Sequence, residues 1–266
     1  MPDMDIRKHR MILFHSARVS KGLIGALGLV LFWEALRASG MVNPRDLPSV
    51  NAILVSFVEQ VANGSLVVAA LWTLMSWFLG LMVALILGTA SGILLGLVPW
   101  LERASRPALE FLRPIPSVAL IPVALMVLGI GMSMQVSLIV FASIWPILFS
   151  ARQGVEGIDP RYHDVGRVFG LGQGARILRI VLPAALPSIA TGTRIGAAIA
   201  LALSITVEML TGRPGLGGAL QSARLSGQIT EMWAVVFAAG LMGQCLNMIF
   251  LRGERWLFPW SGDHNV

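Results

Sequence analysis

The side chains that most often carry out catalysis are scarce in this 266-residue sequence, and they lie far apart. The four histidines are scattered along the chain at His9, His15, His163 and His264. The single cysteine, Cys245, stands in an apolar segment, and one thiol makes neither an intrachain disulfide nor a metal site. The sequence therefore predicts no catalytic residue, no metal site and no cofactor.

A few polar residues stand inside or beside long apolar segments, where burying them is costly. Glu208 allows two interpretations: a charge at the outer face of a membrane, or a gate or contact on a path through it. Ser204 and Thr206 either face the same path or bond to their own backbone. Pro122 predicts a kink in another segment, which is either structural or part of a gate.

The composition is that of a membrane protein. Hydrophobic residues make up 56% of the chain and charged residues 13%, against about 45–50% and about 25% in a soluble domain. No charged residue occurs between Glu59 and Glu102 or between Arg113 and Arg152. A helix needs about 20 apolar residues to cross a bilayer. The sequence therefore predicts an all-α protein with about six transmembrane helices, over 22–38, 70–97, 109–129, 132–150, 187–209 and 232–251.

Lysine and arginine set the predicted orientation, because they collect on the cytoplasmic side of membrane proteins. Fifteen of them fall on the side that holds both chain ends, and four fall on the other side. The sequence therefore predicts a cytoplasmic N-terminal arm at 1–21, a transmembrane domain at 22–251 and a cytoplasmic tail at 252–266. The net charge of +6 is explained by this bias and does not indicate nucleic-acid binding.

Small residues recur every four positions in two of the predicted helices. The two series are Gly80, Ala84, Gly88, Gly92 and Gly96, and Gly192, Gly196, Ala200 and Ser204. Such stripes let helix backbones approach closely in a membrane. They either pack helices within one subunit or line a dimer seam or a path that opens.

The predicted cytoplasmic connection at 159–187 is long, basic and patterned as two short helices. Asp159 is placed to cap the first helix, and Gly170 is placed to end it in the left-handed conformation. The second helix begins at Gln173 and ends before Pro183. A hairpin of this shape, joined to a membrane helix, is suited to docking in a groove of another protein.

This connection resembles the EAA loop in the permeases of binding-protein-dependent ABC importers. The family pattern is Glu-Ala-Ala, three residues, Gly, nine residues and then Ile-x-Leu-Pro. The matching residues, at the same spacing, are Gly170, Ile180, Leu182 and Pro183. The Glu-Ala-Ala part reads Asp164-Val165-Gly166 here and keeps only the acidic residue.

The resemblance extends beyond the loop. Three further segments are similar to family motifs: Leu47-Pro48-Ser49, Arg113 to Pro122, and Glu208-Met209-Leu210 with the following Gly215-Leu216-Gly217. Together they indicate the subgroup that handles sulfonates, taurine, nitrate, bicarbonate and thiamine precursors. The resemblance implies the type I importer permease fold and import of a small anionic solute.

The resemblance also implies partners and a location. A dimer of ABC ATPase subunits hydrolyses the ATP, because this chain has no Walker motif of its own. A periplasmic or lipid-anchored binding protein delivers the solute, and a second permease copy completes a homodimer in the inner membrane of a bacterium. The residues that would couple to the ATPase are Asp164, Val165, Gly166, Gly170, Ile180, Leu182 and Pro183. Ser204, Glu208 and Pro122 are the candidates for the path or gate.

The alternative function is a secondary, ion-coupled transporter. Such a carrier binds its coupling ion at charges within the membrane, and the candidates in this sequence are Arg194 and Glu208. It would not need a patterned docking hairpin. A membrane enzyme is disfavoured, because no cluster of catalytic side chains stands in the predicted spans.

Overall fold

Helices account for nearly all of the chain that the computed structural model describes, which is residues 24–25, 27–43, 45–159, 161–162 and 168–258. No strand occurs in these ranges, and the predicted all-α class is confirmed. In chain order the helices are α1 (27–38), α2 (Val50–Ala62), α3 (Ser65–Leu97), α4 (Pro99–Leu112), α5 (Ile121–Leu128), α6 (Met132–Glu156), α7 (Gln173–Thr211), α8 (Leu216–Leu225) and α9 (Ile229–Leu257).

Four of the described helices, α3, α6, α7 and α9, are long and apolar enough to cross a membrane. They contain the second, fourth, fifth and sixth predicted spans and extend beyond them. The first predicted span, 22–38, is helical over 27–38, and part of it lies outside the described residues. The described part of the chain thus holds four such helices, or five if α4 and α5 belong to one broken span.

The third predicted span, a single helix over 109–129 with a kink at Pro122, is wrong in its bounds. α4 makes an angle of 80° with the stretch Ser117–Leu128, which begins as one 3₁₀ turn and continues as α5. The helical backbone is interrupted at Pro116, which is extended with φ of −68° and ψ of 113°. Pro114 and Pro116 also lack the N–H that would continue the hydrogen bonds of α4. Pro122 stands at the start of α5, where a helix does not need its N–H.

The core of the bundle is formed by α3, α6 and α7, whose backbones approach closely at small residues. The following glycines each lie against a residue of a neighbouring helix: Gly80 on Ile139, Gly88 on Ile147, Gly92 on Ala151, Gly96 on Val155, Gly192 on Ser150 and Gly196 on Ser143. The interpretation that both stripes pack helices within one subunit is confirmed at these contacts.

We predict that Gly92→Ala destabilises the protein and that Gly240→Ala in α9 does not. A Cβ atom on Gly92 would lie 2.7 Å from Cβ of Ala151 and 3.2 Å from the backbone nitrogen of Arg152. Overpacking of this kind costs about 1–3 kcal/mol. A Cβ atom on Gly240 meets nothing within 4 Å. Thermal unfolding of the detergent-purified variants measures the difference, and equal midpoints would contradict the close packing of α3 on α6.

Candidate functional site

The residues singled out in the sequence fall at opposite ends of α7. One group belongs to the connection between α6 and α7, called the α6–α7 loop below (residues 157–172). The other group surrounds Glu208, near the far end of the same helix. Of the predicted coupling residues, Asp164, Val165 and Gly166 lie outside the described residues.

The α6–α7 loop begins with the cap that the sequence predicted. The Asp159 carboxylate accepts a hydrogen bond from the backbone N–H of Arg161 at 2.9 Å, and it pairs with the Arg161 guanidinium at 2.8 Å. The hydrogen bond from that guanidinium lowers the pKa of Asp159, and the backbone N–H of Arg161 lowers it further. The carboxylate therefore remains charged at neutral pH and fixes the first turn of the loop.

Gly170 adopts the left-handed conformation predicted for it, with φ of +64°. A Cβ atom there would meet nothing within 4 Å, so the backbone angle alone demands glycine. Four large apolar side chains near this turn are exposed rather than packed within the described part of the chain. They are Tyr162, Val168, Phe169 and Leu178, with exposed fractions of 61%, 85%, 78% and 66%.

The second predicted helix of the loop is not a separate element, which corrects the prediction of a short helix ending before Pro183. α7 begins at Gln173 and continues into the membrane-length helix through a π-helical turn at Ile177–Val181. The α-helical pattern restarts at Leu182, so Pro183 takes its second position, where its missing N–H breaks no bond. The loop therefore leads directly into one membrane-length helix, Gln173–Thr211.

Val181 anchors this end of α7, although the motif gave it no role. Its side chain is only 1% exposed and packs with Val155 and Ile158 at the end of α6. Ile180 and Leu182, on either side, are only half-buried. The sequence shows an unbroken apolar run from Ile180 to Leu182, but the run alone did not indicate which of the three side chains is buried.

Glu208 lies at the centre of a buried polar cluster and is fully inaccessible to solvent. Its Oε2 atom accepts hydrogen bonds from the Thr73 hydroxyl at 2.7 Å and from the Gly217 backbone N–H at 3.1 Å. Its Oε1 atom accepts from Nε2 of Gln135 at 3.0 Å and from the Ser76 hydroxyl at 3.4 Å. The Glu208 side chain is therefore enclosed within the subunit rather than exposed on its surface.

The cluster joins four helices. Thr73 and Ser76 come from α3, Gln135 from α6, and Glu208 from α7. The first residues of α8 complete it, since the Leu216 N–H donates to the Thr73 hydroxyl at 2.9 Å. An unsatisfied polar group buried in a membrane protein is costly, so these hydrogen bonds hold α8 against the bundle.

Two further features complete the cluster. Nε of Arg213 donates to Oε1 of Gln135 at 3.1 Å, so the Gln135 amide bridges Arg213 and Glu208. Gly217 permits the close approach, because a Cβ atom there would lie 2.7 Å from the Met209 nitrogen and 2.8 Å from Cβ of Glu208. Sequence reasoning missed all of these partners, although polar residues inside apolar helices were a visible signal.

Ser204, another candidate for the path or gate, borders this cluster, because its carbonyl accepts a hydrogen bond from Nε2 of Gln135 at 3.5 Å. Ser204 is fully buried and its hydroxyl donates to the Ala200 carbonyl at 2.8 Å, while Thr206 donates likewise to Ala202 at 2.8 Å. Both hydroxyls therefore bond to their own helix. Pro122 is exposed on α5 and takes no part in the cluster. Among the described residues, no three His, Cys, Asp or Glu side chains are grouped as a metal ion would require.

Residues 80–261 match the family model described as the binding-protein-dependent transport system inner membrane component. The chain belongs to this family. The matched region includes the whole α6–α7 loop. It also includes the Glu208 cluster, except for the residues that α3 contributes before Gly80. The chain is an ABC transporter permease of the sulfonate, nitrate and bicarbonate group.

Relatives in this group differ in what they transport. The permease is 26% identical over 92% of its length to a putative aliphatic sulfonates transport permease of Bacillus subtilis, covering 88% of that protein. It is 30% identical over 88% of its length to a bicarbonate transport system permease of Synechocystis, covering 86% of that protein. A nitrate import permease of Leptolyngbya laminosa is 32% identical over 64% of the chain, with 61% of that protein covered.

Solved structures share the fold. A chain of the MetNI methionine ABC transporter in an inward-facing conformation aligns with a TM-score of 0.64 at 19% identity, covering 74% of this chain and 98% of that one. An amino acid ABC transporter aligns with a TM-score of 0.61 at 17% identity, covering 75% of this chain and 97% of that one. The fold is that of type I ABC importer permeases, as the sequence predicted.

We predict that Glu208→Ala lowers the free energy of unfolding on the order of 3 kcal/mol, because it leaves buried donors without an acceptor. Thr206→Ala is the matched control on the same helix, since that hydroxyl bonds only to its own backbone. Thermal unfolding in detergent measures both variants. A Glu208→Ala protein as stable as Thr206→Ala would show that the cluster does not hold α8 in place.

Proposed function

We propose that this permease forms the translocation path of an ATP-driven importer for a small anionic solute such as a sulfonate, taurine, nitrate or bicarbonate. A substrate-binding protein delivers the solute from outside, and a separate dimer of ABC ATPase subunits hydrolyses ATP. The observation that carries the proposal is the α6–α7 loop, which exposes Tyr162, Val168 and Phe169 while joining two core helices directly. Relatives named for sulfonate, bicarbonate and nitrate transport support the solute class.

The α6–α7 loop and the start of α7, over 159–187, make the contact with the ATPase. The exposed apolar side chains fill a groove of that subunit, and Asp164, with Val165 and Gly166, faces its basic residues. Gly170 sets the turn, and Ile180, Leu182 and Pro183 connect the loop to the membrane helix. Because α7 runs from Gln173 to Thr211 as one helix, a displacement of the loop is passed to α7.

The far end of α7 belongs to the gate. Glu208 acts there by holding α8 on the bundle, rather than by facing the solute, because its carboxyl group is fully enclosed in this subunit. Ser204 lies one turn away in the same buried region. Pro122 lies on the exposed side of α5, which a second permease copy or the path itself covers in the assembled importer.

The assembly lies in the inner membrane of a bacterium. The charge bias of fifteen basic residues against four supports a cytoplasmic location for both termini, the α6–α7 loop, the arm at 1–21 and the tail at 252–266. The transmembrane domain at 22–251 pairs with a second copy as a homodimer. This subunit itself is no enzyme, and its partners are the ATPase, the binding protein and membrane lipid.

We predict that proteoliposomes holding the permease, its ATPase subunits and its binding protein take up a labelled aliphatic sulfonate, nitrate or bicarbonate only with ATP inside. Replacing the catalytic carboxylate of the ATPase should abolish uptake. Uptake that persists in that variant and follows an ion gradient would instead indicate a secondary transporter. Binding of the three solutes to the binding protein alone identifies the one transported.

We predict that Gly170→Val uncouples ATP hydrolysis from uptake without preventing membrane insertion. A residue with a Cβ atom is disfavoured in the left-handed conformation by about 1–2 kcal/mol, and the open space around Gly170 leaves the rest of the fold undisturbed. Gly172→Val is the control, because Gly172 has φ of −62° and also faces open space. Asp164→Lys should uncouple in the same way. Normal uptake per ATP in both Gly170→Val and Asp164→Lys would contradict the coupling role of the loop.

A further inference from the structure

α4 is attached to the bundle by charged contacts rather than by a buried face. None of its residues is buried. Near its start, Oε1 of Glu102 pairs with Nη1 of Arg152 in α6 at 2.9 Å, and the two side chains are only 15% and 25% exposed. Just past its end, the guanidinium of Arg113 lies over the ring of Phe149 in α6, 5.0 Å from the centroid. Both ends of α4 therefore rest on the same part of α6.

Arg152 lies one turn before the α6–α7 loop. Besides pairing with Glu102, it pairs through Nε with Glu156 at 2.7 Å, and α6 ends at Glu156. This end of α6 is closely packed: a Cβ atom on Gly96 would lie 2.8 Å from Val155, and one on Gly154 would lie 3.1 Å from Ala185. Since close-packed helices do not deform continuously, a displaced loop moves this end of α6 as a unit.

α4 also has a pivot. It is joined to α3 through Val98 alone, whose backbone is not helical, with φ of −122° and ψ of 86°. Glu102 lies about 6 Å along the helix from this residue, and Leu112 about 21 Å. The contact of Glu102 with Arg152 therefore helps to set the direction of α4, and with it the position of α5 beyond the 80° bend.

We propose that Glu102 and Arg152 are positioning residues that make α4 and α5 follow α6 when the α6–α7 loop moves. The inference rests on the proposed function of the loop. α5 is the element that receives the movement, and Ile121 at its start is buried in one cluster with Leu203 and Val207 of α7. The pair thus links the ATPase end of the permease to α5.

Another ion pair on α4 serves as the matched control. Arg106 and Glu110 pair at 2.8 Å within α4, one turn apart, and both side chains are 66% exposed. They join no second helix. Glu110→Arg therefore alters α4 locally and leaves its attachment to α6 unchanged, whereas Arg106 also attracts Glu102 one turn away and is left in place. Exposed pairs of this kind also contribute little to stability.

The test uses the importer reconstituted in proteoliposomes with its ATPase subunits and binding protein, and it measures ATP hydrolysis together with uptake of a labelled sulfonate, nitrate and bicarbonate. Glu102→Arg or Arg152→Glu alone should lower uptake per ATP by about tenfold, a normal size for coupling between distant sites. The double variant with both changes should recover most of it. Glu110→Arg should match the unaltered protein.

A cross-link keeps the proposal testable if charge reversal impairs folding. Glu102→Cys with Arg152→Cys, in a Cys245→Ser background, should be uncoupled until a short bifunctional thiol reagent joins the two positions, and then recover. Loss of uptake on cross-linking, or normal coupling in the single charge variants, would overturn the proposal. An unaltered importer without ATP-dependent uptake would instead refute the proposed function itself.

Discussion

The close approach of α3, α6 and α7 is the constraint on which the rest of the structure depends. Apolar side chains gain little by leaving lipid for one another, so helices in a membrane associate through close packing and polar contacts. The glycines at 88, 92 and 96 of α3 and at 192 and 196 of α7 let α6 lie between the two helices. Because α6 and α7 flank the α6–α7 loop, the packing that builds the core also fixes the base of the loop.

The Glu208 cluster shows the same constraint at the other end of α7. A carboxyl group enclosed among apolar helices needs several donors, and it receives them from α3, α6 and α8. From Gln173 to Glu208 the helix rises about 50 Å, without a break in its helical course. One helix therefore carries both the loop and the buried carboxyl group.

Some of this arrangement could be predicted from the sequence. Long apolar runs identified four of the membrane-length helices, and the spacing from Gly170 to Pro183 identified the loop. The conformation of Gly170 followed from its place after a helical pattern. These predictions succeeded because each depends on residues close together in the chain, whose effect on the backbone or on burial is local.

The remaining features depend on contacts between distant residues. Glu208 and Thr73 are 135 positions apart, so nothing local indicated that Glu208 is enclosed rather than at a surface. Pro183 was expected to end a helix, but a π-helical turn placed it where a helix tolerates proline. Pro122 was expected to kink the third span. The bend lies instead at 113–116, between α4, which has no buried residue, and the stretch that continues as α5.

The helices around the core are held differently, and the difference suits a transporter. α4 rests on α6 through Glu102 and Arg152. α9 packs on the core through Leu246 and Phe250, and it also approaches α7 through Arg194 and Glu254, which lie 3.2 Å apart without hydrogen-bond geometry. Ion pairs outside the glycine contacts keep helices together while they tilt, because charges attract over a wider range of separations than packed backbones tolerate. A rigid centre with charge-linked outer helices can therefore transmit a displacement without losing its own packing.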